Sequence, residues 1–274
     1  MRPIKRTPGM IVDSHCHLDF PDFAPEQADI IARAHAAGVG TMLTISTEVQ
    51  RYEPIKAIAE ANANVWCTIG THPMHANEEP DLTVETYITG AEHPKCVGIG
   101  EAGLDFHYDT VPRDIADRVF RTQIAAARQT GLPLVIHSRN ADDAMARTLE
   151  EEMGKGAFKA VLHCFSSGRK LAETGIALGL YVSFSGILTY NNSQELREIA
   201  ADMPLDRLLV ETDAPYLSPQ SRRGKRNEPS YVTETHKTLA DVKGVPESEL
   251  AIITTDNFFR LFSKAKRPSE LLLA

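Results

Sequence analysis

No stretch of this chain approaches the roughly 18 consecutive apolar residues that a membrane helix needs, so no membrane contact is expected. The basic segment Met1 to Gly9 holds two prolines and leads into no apolar core, which argues against a signal peptide. Cysteine is scarce. Cys16, Cys67, Cys96 and Cys164 form no C-x-x-C pair and no dense framework, which excludes a disulfide scaffold and points to reduced thiols in the cytoplasm. Positive charge is also in deficit: 29 Lys and Arg against 37 Asp and Glu give −8, so bulk charge does not coat a nucleic acid. A polyanion held at one local site stays open. No internal repeat is visible, and no G-x-G-x-x-G follows the first apolar run, which weighs against a doubly wound dinucleotide sheet. Nothing calls for an obligate protein partner, and a monomer is expected.

What is present is a regular alternation over 274 residues, 42% of them hydrophobic and 24% charged. Short apolar runs read as strands at Met10–Val12, Thr41–Ile45, Val65–Ile69, Cys96–Ile99, Pro133–Ile136, Ala160–Leu162, Leu180–Phe184 and Arg207–Val210. Amphipathic stretches between them read as helices at Glu26–Ala37, Glu48–Asn62, Leu82–Glu92, Arg113–Gln129, Ala141–Glu152, Arg169–Ala177 and Ser193–Ala201. Tyr231–Lys243 and Glu247–Phe262 add two more near the C-terminus. Gly38, Gly131 and Gly179 follow three of these helices, where a left-handed residue closes the last turn. Eight strand-helix alternations without a composition break predict an α/β fold: one (β/α)8 TIM barrel over 1–274, with 1–9 and 264–274 as peripheral tails.

Polar residues recur where the predicted strands end, which in such a barrel is the active-site face. The first strand runs into Asp13-Ser14-His15-Cys16-His17, and strict alternation puts Asp13, His15 and His17 on one face and Ser14 and Cys16 on the other. Glu101 follows the fourth strand between glycines, His137 the fifth and His163 the sixth; Glu211 and Asp213 follow the eighth. A lone histidine in such a place is more often a hydrogen-bonded core residue; the plain alternative for Glu101 is a glycine-rich turn, and for Glu211 and Asp213 a helix N-cap. Collected on one rim, His15, His17, Glu101, His137, His163 and Asp213 would be costly to bury without partners, and a divalent cation removes that cost. Mixed imidazole and carboxylate donors suit Zn²⁺, Mn²⁺, Fe or Co, and six candidates exceed the three of a simple catalytic zinc. Two metals sharing a bridging carboxylate would use them all. Alternation turns Cys16 and Cys164 away from the ligand face.

The runs DSHCHLD, GIGEAGLD, PLVIHSR, LHCFS, SFSG, VETDAPYLSP and RGKRNEP, in order from about residue 11, resemble the TatD family of metal-dependent deoxyribonucleases. The resemblance implies an amidohydrolase-like barrel, two divalent ions per chain (Zn, Mn or Mg) and hydrolysis of DNA phosphodiesters by an activated hydroxide, with 3'-5' exonuclease action as one form. It implies His15, His17, Glu101, His137, His163 and Asp213 as metal ligands, with Glu101 as bridge and Asp213 also orienting or deprotonating the water. The third-strand run Gly70-Thr71-His72-Pro73 matches as well, but Met74 stands where relatives often carry a histidine. His72 is therefore expected at the substrate or behind the ligands. Arg139 is expected to grip a phosphate. The basic segment Arg222 to Pro229 is expected to overhang the site, with Arg223, Lys225 and Asn227 contacting DNA. His35, His93 and His236 match nothing in the family. The rival readings are an amide or ester hydrolase of the same barrel type, such as an aminoacyl-tRNA deacylase or cyclic amidase, and a non-catalytic metal-binding scaffold. Many amidohydrolases bridge their metals with a carboxylated lysine on the fourth strand, where this chain has Glu101.

Overall fold

Apolar runs of three to six residues are too short for helices and pair instead, as the computed structural model of residues 10–108 and 110–268 shows. Eight strands form one parallel sheet in sequence order: β1 (Ile11–Cys16), β2 (Val39–Thr44), β3 (Val65–Ile69), β4 (Cys96–Asp105), β5 (Leu134–Arg139), β6 (Ala160–Leu162), β7 (Tyr181–Phe184) and β8 (Leu208–Val210). The sheet closes where Cys16 bridges Ala214, with the His17 amide donating to the Ala214 carbonyl at 2.8 Å. Helices α1 (Gln27–Ala36), α2 (Tyr52–Ala61), α3 (Val84–Ala91), α4 (Arg113–Thr130), α5 (Asp142–Lys155), α6 (Arg169–Ala177) and α7 (Gln194–Asp202) return between strands. Two more, α8 (Val232–Lys243) and α9 (Glu247–Leu261), follow β8. The fold is a (β/α)8 TIM barrel. Among the described residues no helix is long and apolar enough to cross a membrane.

Alternate strand residues fill the barrel interior. Val12, Leu43, Trp66, Val97, Val135, Val161 and Leu209 form one cluster with Phe258, Leu261 and Phe262, so α9 and the residue after it plug the N-terminal end. Residues of the opposite parity, such as Met42, Cys67, Cys96, Ile136 and Val182, pack outward against the helices.

Three expectations need correction. The fourth strand continues well past Ile99 to Asp105, because its glycines permit a close approach to β5 rather than making a turn. Gly103 has φ +149°, and a Cβ there would lie 1.9 Å from the His137 carbonyl oxygen. The stretch Glu48–Asn62 divides into a 3₁₀ turn, Val49–Arg51, and α2. Residues 264–268 are not a loose tail: Lys264 donates to the carbonyls of Ala91 (2.7 Å) and His93 (2.9 Å), and Arg267 pairs with Asp256 at 2.6 Å. The remainder of the expected tails, 1–9 and 269–274, lies outside the described residues.

Candidate metal centre

Two sets of donors meet at the C-terminal end of the barrel, one on each oxygen of Glu101. On the Oε2 side, His15 Nε2 lies 3.3 Å from His17 Nε2, 3.4 Å from Glu101 Oε2 and 3.5 Å from Asp213 Oδ1. His17 Nε2 lies 3.8 Å from the same Glu101 oxygen and 3.4 Å from Asp213 Oδ1. A tetrahedral cation with ligand bonds of 2.0–2.1 Å spaces its donors about 3.3–3.4 Å apart, so this quartet has nearly the edges of such a site. On the Oε1 side stand His163 Nε2 at 2.7 Å, His137 Nδ1 at 3.1 Å and His72 Nε2 at 3.4 Å. His15, His17, Glu101 and His163 are buried, whereas Asp213, His72 and His137 open partly onto a cavity of about 640 Å³.

Hydrogen bonds behind the rings decide which nitrogen faces inward. His17 Nδ1 donates to the Ile45 carbonyl at 3.3 Å, His137 Nε2 to Asp105 Oδ2 at 3.0 Å, and His163 Nδ1 to Glu211 Oε1 at 3.1 Å. Each bond fixes the ring and leaves the opposite nitrogen with a lone pair toward the centre, the arrangement typical of metal-ligating histidines. Lone pairs aimed at a carboxylate 2.7–3.1 Å away repel unless a cation or proton stands between them. His72 differs. Its Nδ1 accepts the Met74 amide at 3.1 Å, so the neutral ring carries its hydrogen on Nε2 and offers a donor rather than a ligand.

The electrostatics describe the same demand for positive charge. Burial alone would raise the Glu101 carboxyl, but the surrounding imidazoles, His163 foremost, hold it well below the usual carboxylate range. Burial would likewise lower His163, yet Glu101 and then Glu211 lift it well above an ordinary histidine. Burial takes His72 down to about 3, so it stays neutral at physiological pH. Burial opposes ionisation of Asp213 too, but the bond from His17 together with the charges of His15, His17 and His163 outweighs it and keeps the carboxyl low.

The structure therefore brings His15, His17, Glu101, His137, His163 and Asp213 together, with His72 beside them. Arg139 is exposed at the cavity wall, its guanidinium 5.1 Å from the Tyr108 ring centre. Strict alternation fails in β1. Ser14 Oγ lies 3.1 Å from Ser183 Oγ on β7, which is reachable past β8 only through the barrel interior. Ser14 thus points inward with Val12, and a register irregularity between Asp13 and Cys16 turns His15 inward after it. Asp13 instead accepts from the Thr212 amide and hydroxyl at 2.9 and 2.6 Å, tying β1 to the chain beyond β8; burial pushes its carboxyl up to about 8. Cys16 Sγ contacts the Leu43 carbonyl and Cys164 Sγ the Ser185 hydroxyl, so neither joins the donors.

The basic segment is less available than expected. Asn227 is fully buried and its amide already donates to the Thr212 and Tyr216 carbonyls at 2.9 and 2.6 Å, so it clamps the chain after β8 and has no donor left for a phosphate. Arg222 and Arg226 are engaged with Glu234 and Glu26. Arg223 and Lys225 are exposed but do not line the cavity, and Arg223 rests 4.3 Å from the Tyr190 ring centre. Asp105 and Glu211, which orient His137 and His163, carried a readable signal: each lies at an even spacing from a ligand on its own strand end, Glu101 and Asp213 respectively.

An eight-stranded parallel barrel gathering five histidines and two carboxylates at its C-terminal strand ends has the build of a metal-dependent hydrolase. The model of the TatD related DNase family matches residues 12–263, and the chain belongs to that family. YabD of Bacillus subtilis, named an uncharacterized metal-dependent hydrolase, is 36% identical over 253 residues covering 92% of this chain and 99% of that protein. A protein of Erwinia tasmaniensis named 3'-5' ssDNA/RNA exonuclease TatD is 35% identical over 257 residues, covering 92% of this chain and 99% of its own. The crystal structure of YJJV, a TatD homologue from Escherichia coli, superposes with a TM-score of 0.84 at 29% identity, covering 92% of this chain and 98% of that one.

Proposed function

We propose that this protein hydrolyses DNA phosphodiester bonds at a centre built for two divalent cations. The observation that carries the reading is Glu101: one carboxylate whose two oxygens face two separate donor sets, His15–His17–Asp213 and His137–His163. Bound cations would supply water activation and neutralise charge on a phosphoryl group. The nitrogen-rich donor set suits Zn or Mn better than Mg, which prefers an all-oxygen shell.

The chain's own residues would do the rest. Asp213 faces the cavity while its carboxyl stays ionised, so it can accept a proton from the attacking water. His72 lines the same cavity and bears its hydrogen on Nε2, which can donate to a phosphate oxygen as charge builds there. Arg139 at the wall can fork onto a second oxygen. Phe20, Tyr108 and Tyr216 line the cavity and offer ring faces on which unpaired bases stack. The exonuclease named in Erwinia tasmaniensis supports the 3'-5' direction and a single-stranded substrate. Glu101, in the place of a bridging lysine, favours phosphodiester over amide chemistry. The same reading keeps the protein in the cytoplasm as a monomer needing no partner but DNA; its four unpaired thiols suit a reducing compartment.

The test is digestion of end-labelled single- and double-stranded DNA across a series of divalent metals, with the product ends analysed. Metal-dependent release of nucleotides from the 3' end is expected. Hydrolysis of amide or ester probes with intact DNA would overturn the reading.

A further inference from the structure

A second cavity of about 610 Å³ opens beside the first and shares Ser138, Arg139 and Ser166 with it. Its wall adds Arg113 from the start of α4 and Arg147 from α5. All three arginines are exposed, and among the described residues none forms an ion pair or donates a hydrogen bond to protein. Their neighbours behave otherwise: Arg121 and Arg128 of α4 are bound to Asp117, Glu151 and Glu152. Two acids, Asp142 and Asp143, share the wall, and each already has a partner. Asp142 Oδ2 accepts the Gly168 amide at 2.8 Å, and Asp143 Oδ1 faces Lys170 Nζ at 3.3 Å. Arg113 lies 4.3 Å from the Phe106 ring centre, as Arg139 lies over Tyr108. Stacking holds a guanidinium plane in place while leaving its edge N–H groups for another acceptor.

We propose that this cavity seats a backbone phosphate of the single strand next to the scissile one, held by Arg113 and Arg147, with Arg139 at the junction. In a chain of net charge −8, three arginines without an ion pair among the described residues surround one hollow, and their planar forks match phosphate oxygens. A flexible strand, unlike a rigid duplex, can bend from one cavity into the other past stacking rings. This inference rests on the phosphodiesterase reading and adds a second substrate contact to it.

The test compares a thymidine dinucleotide with a tetranucleotide on the metal-loaded enzyme. Wild type should show kcat/KM on the order of tenfold higher for the tetranucleotide, the gain expected from one charged phosphate contact. In Arg113→Ala/Arg147→Ala this ratio should fall to about one, and the logarithmic salt slope of tetranucleotide binding should drop by about 0.7. Arg113→Lys/Arg147→Lys keeps the charge without the fork and should lie between. A double alanine variant with the wild-type ratio and slope overturns the inference while the phosphodiesterase reading stands. Equal loss on both substrates also overturns it, because the arginines would then act outside the strand path. A wild-type enzyme that cleaves neither oligonucleotide with any divalent metal overturns both.

Discussion

The two ends of the barrel interior lie only a few residues apart on the same strands. At the N-terminal end, Val97, Val135, Val161 and Leu209 meet Phe258 and Phe262; two to four residues further on stand Glu101, His137, His163 and Glu211. The apolar end is complete in itself, since burial of its side chains stabilises it without any addition. The polar end is not. Its lone pairs and carboxylates face one another, and only added positive charge relieves them. The period of two that fills one end therefore aims the donors at the other.

Breaking the polar end should produce the largest effect. Glu101→Gln removes the charge between the two donor sets, so turnover should fall by at least about 10³-fold and bound metal should drop, with circular dichroism unchanged. Metal analysis and turnover on one purified sample check this; wild-type values for both would end the two-cation reading. Asp213→Asn should follow closely, losing about 10²–10⁴-fold in single-turnover cleavage while DNA affinity changes little. A variant cleaving at the wild-type rate would remove Asp213 from its role.

The histidines and carboxylates of this end are legible in the amino-acid sequence, because each follows an apolar run at the place where a barrel strand emerges. What local pattern does not carry is tertiary. The alternation rule presumes an unbroken ladder, and the irregularity in β1 turns Ser14 inward and sends Asp13 to Thr212. Basic neighbours give Asn227 the look of a phosphate donor, yet its partners lie on chain segments it meets only after folding. The glycines of β4 resemble a turn until β5 is seen pressed against them.

Breaking the apolar end should give the opposite phenotype. Phe262→Ala empties a fully buried site and should cost about 3–5 kcal/mol in denaturant unfolding, with metal content retained. Chelation should lower the unfolding midpoint of wild type and of this variant by a similar amount, since distant, independent perturbations add. Strong non-additivity would mean that the two ends are not independent.

The residues behind the ligands sharpen the contrast with a smaller effect. Asp105→Asn and Glu211→Gln leave the donors in place but release the His137 and His163 rings, so metal affinity should weaken by about 10–100-fold. Competition with a fluorescent chelator reads this directly, and excess metal should restore much of the turnover. Failure of excess metal to restore it would show that these acids act on more than ring orientation.

The smallest effect is expected outside the cavity, in the basic segment after β8. Arg222 and Arg226 are already paired with Glu234 and Glu26, whereas Arg223 and Lys225 make no ion pair among the described residues. We propose Arg223 and Lys225 as outlying phosphate contacts. They do not line the metal cavity, so their share is screened, long-range attraction rather than positioning. Arg223→Ala/Lys225→Ala should weaken single-stranded DNA binding severalfold and lower the logarithmic salt slope by about 1.4 if each neutralises one phosphate. Metal content and cleavage of a small phosphodiester should not move. Arg222→Ala/Arg226→Ala removes the same formal charge from the same segment but frees two carboxylates with it. If the slopes of the two double variants agree, net charge alone governs binding and the segment has no specific contacts. A slope change confined to Arg223→Ala/Lys225→Ala assigns the contacts to those two side chains.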